Sequence, residues 1–302
     1  MNKYKLLIER NNLKVNKVTI KGKVTIIDTP LGKFVLRDNK GIKIYDYLLS
    51  RGFNYFPEII DYDNEGILCE YIDNIEYDKS LKADDFVKLL SLLHAKTSYF
   101  VDNDENYEKV FEELDTKIDN LTIYYTNMID FVESKEYMSP SEYLISRNIS
   151  IIFSALNYSK NKLKEWYDNE KKITKKRVVT LYNNVNLNNL LKSTDKTCLI
   201  SFEKSITGSP IYDLISLYNK YYLAIDFYSL LNRYENNFPL LQEEMDLLLV
   251  YLSIPEKIII SDNILNFKDI NYKIKKIYRT LEILNFKEKE AAKAHEKEDN
   301  KK

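Results

Sequence analysis

At Asp84 the hydrophobic pattern of this chain changes period, and that switch constrains the fold more tightly than any other feature. Upstream, β-branched residues cluster in short runs at 18–20 and 24–28, and Thr29-Pro30-Leu31-Gly32 supplies a turn before the apolar run 34–37. Such runs bounded by turn residues read as strands. The amphipathic stretch 41–49 ends at Arg51-Gly52, which predicts a helix with glycine at its C-cap. After Pro57, Ile59-Ile60, the turn Asp63-Asn64-Glu65-Gly66 and the run 67–71 predict a further strand-turn-strand unit. Downstream, Phe86, Leu89, Leu90, Leu93 and His94 share one face of a helix running to about Tyr99.

Helical periodicity continues over 107–134 and 141–168, pauses for strand-like runs at 177–181, 187–191 and 197–202, and resumes over 211–233, 240–252 and 266–284. A β-rich opening followed by a helical body with a small strand insert is an α+β pattern with two unequal lobes. Regular strand-helix alternation is absent, and so is a glycine-rich dinucleotide fingerprint, which excludes a doubly wound parallel sheet. The expected division is a β-rich N-lobe over 1–73, a helical C-lobe over 74–285 and a charged tail over 286–302 that frays into disorder.

Composition narrows the chemistry. The 302 residues are 44% hydrophobic, enough to fill a core, and 45 basic residues balance 46 acidic ones. No basic field is present to attract nucleic acid or an anionic membrane, and no apolar stretch reaches signal-peptide or spanning length. The expectation is a soluble protein made in the cytoplasm, with no nucleic-acid and no membrane partner. Cys69 and Cys198 both lie in short apolar runs and read as buried free thiols. Only two histidines occur, His94 in the apolar helix and His295 in the polar tail. That leaves little room for a Ser-His-Asp or Cys-His catalyst or a histidine-rich metal site. Any chemistry here runs on carboxylates, amides, lysines or bound metal.

The strand insert is the most informative segment. It reads Leu181-Tyr182-Asn183-Asn184-Val185-Asn186-Leu187-Asn188-Asn189, then Ile200-Ser201-Phe202-Glu203 after a polar turn, then Tyr212-Asp213-Leu214. This register resembles the aminoglycoside phosphotransferase and choline kinase superfamily, with its His-Gly-Asp catalytic loop, Ile-Asp-Phe metal strand and Tyr-Asp-Leu helix start. Leu93-His94 matches the family's Leu-His helix, Glu70-Tyr71-Ile72 its hinge, and Gly32 to Arg37 its lysine-bearing strand. Length and layout look most like the spore coat kinase-like proteins, the spore coat protein S family. The resemblance implies a two-lobed protein-kinase-like fold.

Carried over residue by residue, it implies a degenerate site. The catalytic aspartate position is Asn184, whose amide orients a hydroxyl but cannot deprotonate it; loss of general-base help costs ~10²–10⁴ in rate. The metal-binding aspartate maps to Ser201, a poor Mg²⁺ ligand. Asn189 is retained as the second metal position, and Glu203 stands two residues beyond Ser201, as an altered metal ligand or a solvent-facing strand end. On the nucleotide side, Arg37 replaces the lysine, Glu70 and Ile72 mark the hinge, and the helix partner of Arg37 falls near Lys43 or Asp46. The stretch 11–16 is the candidate phosphate-covering loop. Asp213 and His94 carry structural roles, Asp213 by bonding the catalytic-loop backbone and His94 as a buried helix histidine bonded to backbone. The expected protein is a pseudokinase with no cofactor, a structural or interaction protein of spore coat assembly whose partners are other coat or scaffold proteins. The alternative is a divergent phosphotransferase using Mg-ATP on a small hydroxylated substrate.

Overall fold

The computed structural model describes residues 2–103, 106–261 and 264–299. Its elements run α1 (Lys5–Arg10), β1 (Lys17–Lys21), β2 (Val24–Thr29), β3 (Gly32–Asp38), α2 (Lys43–Ser50), β4 (Ile59–Tyr62), β5 (Gly66–Glu70) and α3 (Lys79–Thr97). Then follow β6 (Tyr99–Asp102), α4 (Asn106–Glu133), α5 (Pro140–Glu170), β7 (Lys175–Leu181), β8 (Leu190–Lys192), β9 (Thr197–Leu199) and β10 (Ile206–Gly208). The remainder is helical: α6 (Ile211–Tyr221), α7 (Phe227–Asn237), α8 (Gln242–Ser253) and α9 (Ile264–Asp299). The chain is α+β, as the change of period predicts, and forms two compact units.

The first unit comprises Met1–Ser98, Val179–Gly208 and Asn232–Pro239. Its antiparallel sheet has the order β1-β2-β3-β5-β4. Alternation along the strands gives the sheet two working faces. Ile27, Leu36 and Leu68 turn to one face and pack with Tyr4 and Leu7 from the α1 segment. Gly66 permits that packing, because a Cβ there would come within 2.6 Å of the Tyr4 ring. Val24, Ile26, Val35, Arg37 and Cys69 occupy the opposite face, set in register by the pairs Val24↔Arg37, Ile26↔Val35 and Val35↔Cys69. Helix α3 starts on Asp78, whose carboxylate accepts from Ser80 N–H at 2.7 Å, and it buries Phe86, Leu90, Leu93 and His94 completely.

The second unit comprises Tyr99–Val178, Ser209–Leu231 and Leu240–Lys302. Helix α5 packs against α4, α8 and α9. A capping box at Ser139 and Glu142, with Pro140 in the first turn, fixes its start. The buried hydroxyls of Ser159 and Ser253, 2.9 Å apart, tie it to α8. Arg177 on β7 forms a two-pronged ion pair with the nearly buried Glu244 of α8. Asp213 sits in the first turn of α6 and is 1% exposed. No helix among the described residues is long and apolar enough to cross a membrane.

Several expectations need correction. The strand read over 187–191 begins as a 3-10 turn, Leu187–Asn189, because the Asn186 side chain accepts from Asn188 N–H at 3.0 Å and offers the backbone an alternative to the ladder. The run 197–202 stops as strand at Leu199, and Phe202–Lys204 forms a second 3-10 turn. The helix read over 211–233 is two helices; Asp226 accepts from the N–H and hydroxyl of Ser229 and starts α7. Helix α1 and the short strands β6 and β10 carry too little periodicity to be read from sequence. Helix α9 extends through 286–299, and residues 300–302 lie outside the described residues.

Candidate functional site

The first unit contains a cavity of about 770 Å³, within the usual range for small-molecule sites. Its apolar walls come from Val24, Ile26 and Val35 on the sheet and from Leu191 and Ile200 beside the 182–204 loop. Glu70, Tyr71 and Ile72 close one side, so the hinge strand read from sequence does border the cavity. Arg37, Asn184, Ser201 and Glu203 also line it. The fold therefore brings together residues up to 166 positions apart that the sequence reading grouped as one site.

Arg37 and Glu203 form an ion pair, with side chains 17% and 25% exposed. The guanidinium also lies over the Tyr45 ring at 4.8 Å, a cation–π contact, and Tyr45 is 2% exposed in α2. This corrects two expectations. The partner of Arg37 is neither Lys43 nor Asp46 but Glu203, with Tyr45 as the contribution of α2. Glu203 is exposed, as read, but it does not end a strand: it belongs to a 3-10 turn that delivers it to Arg37. Burial pushes the Cys69 thiol up from its ordinary range, partly opposed by Arg37 beside it. Burial likewise pushes Cys198 up to about 11. Both are buried free thiols, as the apolar runs around them predict.

Amides in the 182–204 loop are bound to backbone. Asn184 Nδ2 donates to the Ser201 carbonyl at 3.1 Å, and Asn189 Nδ2 donates to the Asn184 carbonyl at 3.0 Å. Asn183 Nδ2 donates to the Lys204 carbonyl at 2.9 Å. Asn183 and Ser201 adopt positive φ angles, 50° and 67°, in the left-handed region that asparagine tolerates better than serine. Asn189 does not line the cavity; it braces Asn184 from behind. His94 is fully buried on α3, with Nδ1 2.6 Å from the Tyr234 hydroxyl, so the contact made by this nitrogen is to a side chain.

Residues fit for Mg²⁺ are not found here. That ion takes near-octahedral oxygen ligands, usually one or two carboxylates with waters and substrate phosphates, and each of the cavity's three carboxylates is already ion-paired. Glu203 holds Arg37, Glu70 holds Lys196 and the Glu58 N–H, and Asp38 accepts from Lys3 at 2.7 Å and from the Tyr4 hydroxyl at 2.8 Å. Among the described residues no cluster of three or more His, Cys, Asp or Glu is placed to hold a metal.

The phosphate-side expectation also shifts. The stretch 11–16 leads from α1 into β1 and does not line the cavity. The tight hairpin between β1 and β2 does, through Lys21 and Lys23. Gly22, at φ 58°, supplies the positive angle that a two-residue hairpin turn demands. The signal was present in the sequence: a lone glycine between lysines, flanked by the β-branched runs 18–20 and 24–28.

No family model matches the sequence, and no curated protein matches it either. Among solved structures, the chain is similar to an aminoglycoside phosphotransferase from Alicyclobacillus acidocaldarius, with a TM-score of 0.57 and 10% identity over 94% of this chain and 92% of that one. The choline kinase LicA from Streptococcus pneumoniae aligns over 94% of this chain and 98% of its own, with 14% identity and a TM-score of 0.48. The first likeness shows the fold: an antiparallel β-rich opening and a helical C-terminal part, as in that aminoglycoside phosphotransferase.

Proposed function

We propose that this chain is a non-catalytic kinase-fold protein, a pseudokinase that serves as a structural or interaction protein. One observation carries the reading: every carboxylate lining the cavity is ion-paired, and the Asn184 amide at the base position donates to a backbone carbonyl. Neither a general base nor a metal cage is left for phosphoryl transfer. The setting proposed is spore coat assembly with other coat or scaffold proteins as partners, and it rests on the sequence resemblance alone. The test is turnover by the purified protein with Mg-ATP, with or without small hydroxylated acceptors. The expected result is none above buffer; a magnesium-dependent activity abolished by Asn189→Ala would sink the proposal.

A second reading is a divergent phosphotransferase acting on a small hydroxylated substrate. It is favoured by the open, nucleotide-sized cavity and by the fold shared with an aminoglycoside phosphotransferase. Positioning and electrostatics supply much of phosphoryl-transfer catalysis, so a missing base alone does not forbid it. The same turnover assay separates the two.

A further inference from the structure

The charges around the cavity favour an anion. Its lining carries Lys21, Lys23, Arg37, Lys40 and Lys204 against Asp38, Glu70 and Glu203. Two of the three acids are held by cations from outside the lining, Lys3 on Asp38 and Lys196 on Glu70. Only Glu203 draws on a lining cation, Arg37. Among the described residues, Lys21, Lys23 and Lys204 have no ion-pair partner. The cavity therefore presents surplus positive charge, the sign that attracts an anion and repels a divalent cation.

We propose that the cavity takes a phosphorylated ligand with an aromatic ring, of the nucleotide class, without a divalent metal, its phosphate charge met by Lys21, Lys23 and Arg37. This rests on the non-catalytic reading of the same cavity and departs from the metal dependence that the fold implies. The ring goes to the apolar slot formed by Val24, Ile26, Val35, Leu191 and Ile200. The two lysines of the β1–β2 hairpin act as point charges on phosphate oxygens, and the Arg37 guanidinium offers a planar fork for two of them. Recruiting Mg²⁺ would require Glu203 to leave Arg37, stranding a mostly buried guanidinium. A phosphate instead replaces Glu203 as the anion facing Arg37, so no buried charge is left alone. Glu203 thus acts as an internal competitor that occupies Arg37 until a ligand arrives.

The experiment is calorimetric titration of the full chain with ATP, once in excess EDTA and once with excess Mg²⁺, alongside adenosine and tripolyphosphate as probes lacking one half of the ligand. ATP is expected to bind in EDTA at least as tightly as with Mg²⁺, and more tightly than either half-probe. Lys21→Glu with Lys23→Glu changes two exposed hairpin residues and should weaken ATP binding by about tenfold or more. Glu203→Gln, which removes the competitor, should strengthen it several-fold, with circular dichroism confirming that each variant is folded. Binding seen only with Mg²⁺, no binding of ATP in EDTA, or an affinity untouched by the double reversal overturns the inference. None of these outcomes bears on turnover, whereas turnover with Mg-ATP would sink the non-catalytic reading and leave the EDTA titration to decide this one.

Discussion

The loop spanning 182–204 has two sides, and they are built on different principles. On its inner side, Tyr182, Val185, Leu187, Leu190, Cys198, Leu199 and Phe202 are all 5% exposed or less. Phe202 is the hub: its ring meets those of Tyr182 at 5.1 Å, Tyr45 at 5.8 Å, Phe53 at 6.0 Å and Phe56 at 6.1 Å, mostly edge to face. On its outer side, Asn183, Asn184, Asn189 and Ser201 are half-buried or exposed, and the three amides bond to carbonyls within the loop itself. The inner side draws on the whole core of the first unit, whereas the outer side is secured locally. That difference means that the polar groups on the outer side can change without disturbing the packing that fixes the backbone.

The comparison breaks first, and most visibly, at Phe202. Truncation to alanine removes a fully buried ring and leaves a cavity among four aromatic neighbours, a change that costs about 3–5 kcal/mol in protein cores. Phe202→Ala should therefore lower the urea midpoint strongly and loosen the 182–204 segment in hydrogen exchange. A loss below about 1 kcal/mol would mean the inner side does not hold the loop.

Asn184→Asp sharpens the outer side. In this structure it replaces an N–H donor with a carboxylate facing the Ser201 carbonyl, so an acceptor meets an acceptor. The expected cost is about 1–3 kcal/mol, read from denaturant midpoints, with Ser201→Asp added as a companion substitution. Unchanged stability would show that the amide is not needed for the loop's geometry.

The same two sides explain what could be read without a structure. The strands of the first sheet, α3, α4 and α5 were legible, because long periodic runs of Ile, Leu, Val and Phe leave little choice of period. Of the residues grouped from sequence, Arg37, Glu70, Ile72, Asn184, Ser201 and Glu203 line one cavity, while Asn189 does not. What could not be read was pairing. Nothing in the spacing says that Glu203 turns back to Arg37, because its direction is set by a 3-10 turn entered through the left-handed Ser201. The run 187–191 reads as strand from its leucines, while Asn186, accepting from Asn188 N–H, turns its first three residues into a 3-10 turn. Lys21 and Lys23 were overlooked because a two-residue turn offers one glycine as its only mark.

Asn189 carries the smallest expected effect and the finest distinction. Its Nδ2 donates to the Asn184 carbonyl at 3.0 Å, while its own carbonyl accepts from the Ile200 N–H at 3.0 Å. Removing the side chain leaves the second of these bonds intact. Asn189→Ala should then cost about 0.5–1.5 kcal/mol, the net worth of one hydrogen bond. Asn189→Asp, which keeps the size but loses the donor, should cost at least as much, because its carboxylate would face the same carbonyl. Since Asn189 stands outside the cavity lining, neither change should alter ATP affinity in EDTA by more than about twofold, well short of a 1.4 kcal/mol tenfold step. A larger drop in affinity than in stability would move Asn189 from the bracing of the loop into the ligand site and erase the line between the two sides at that position.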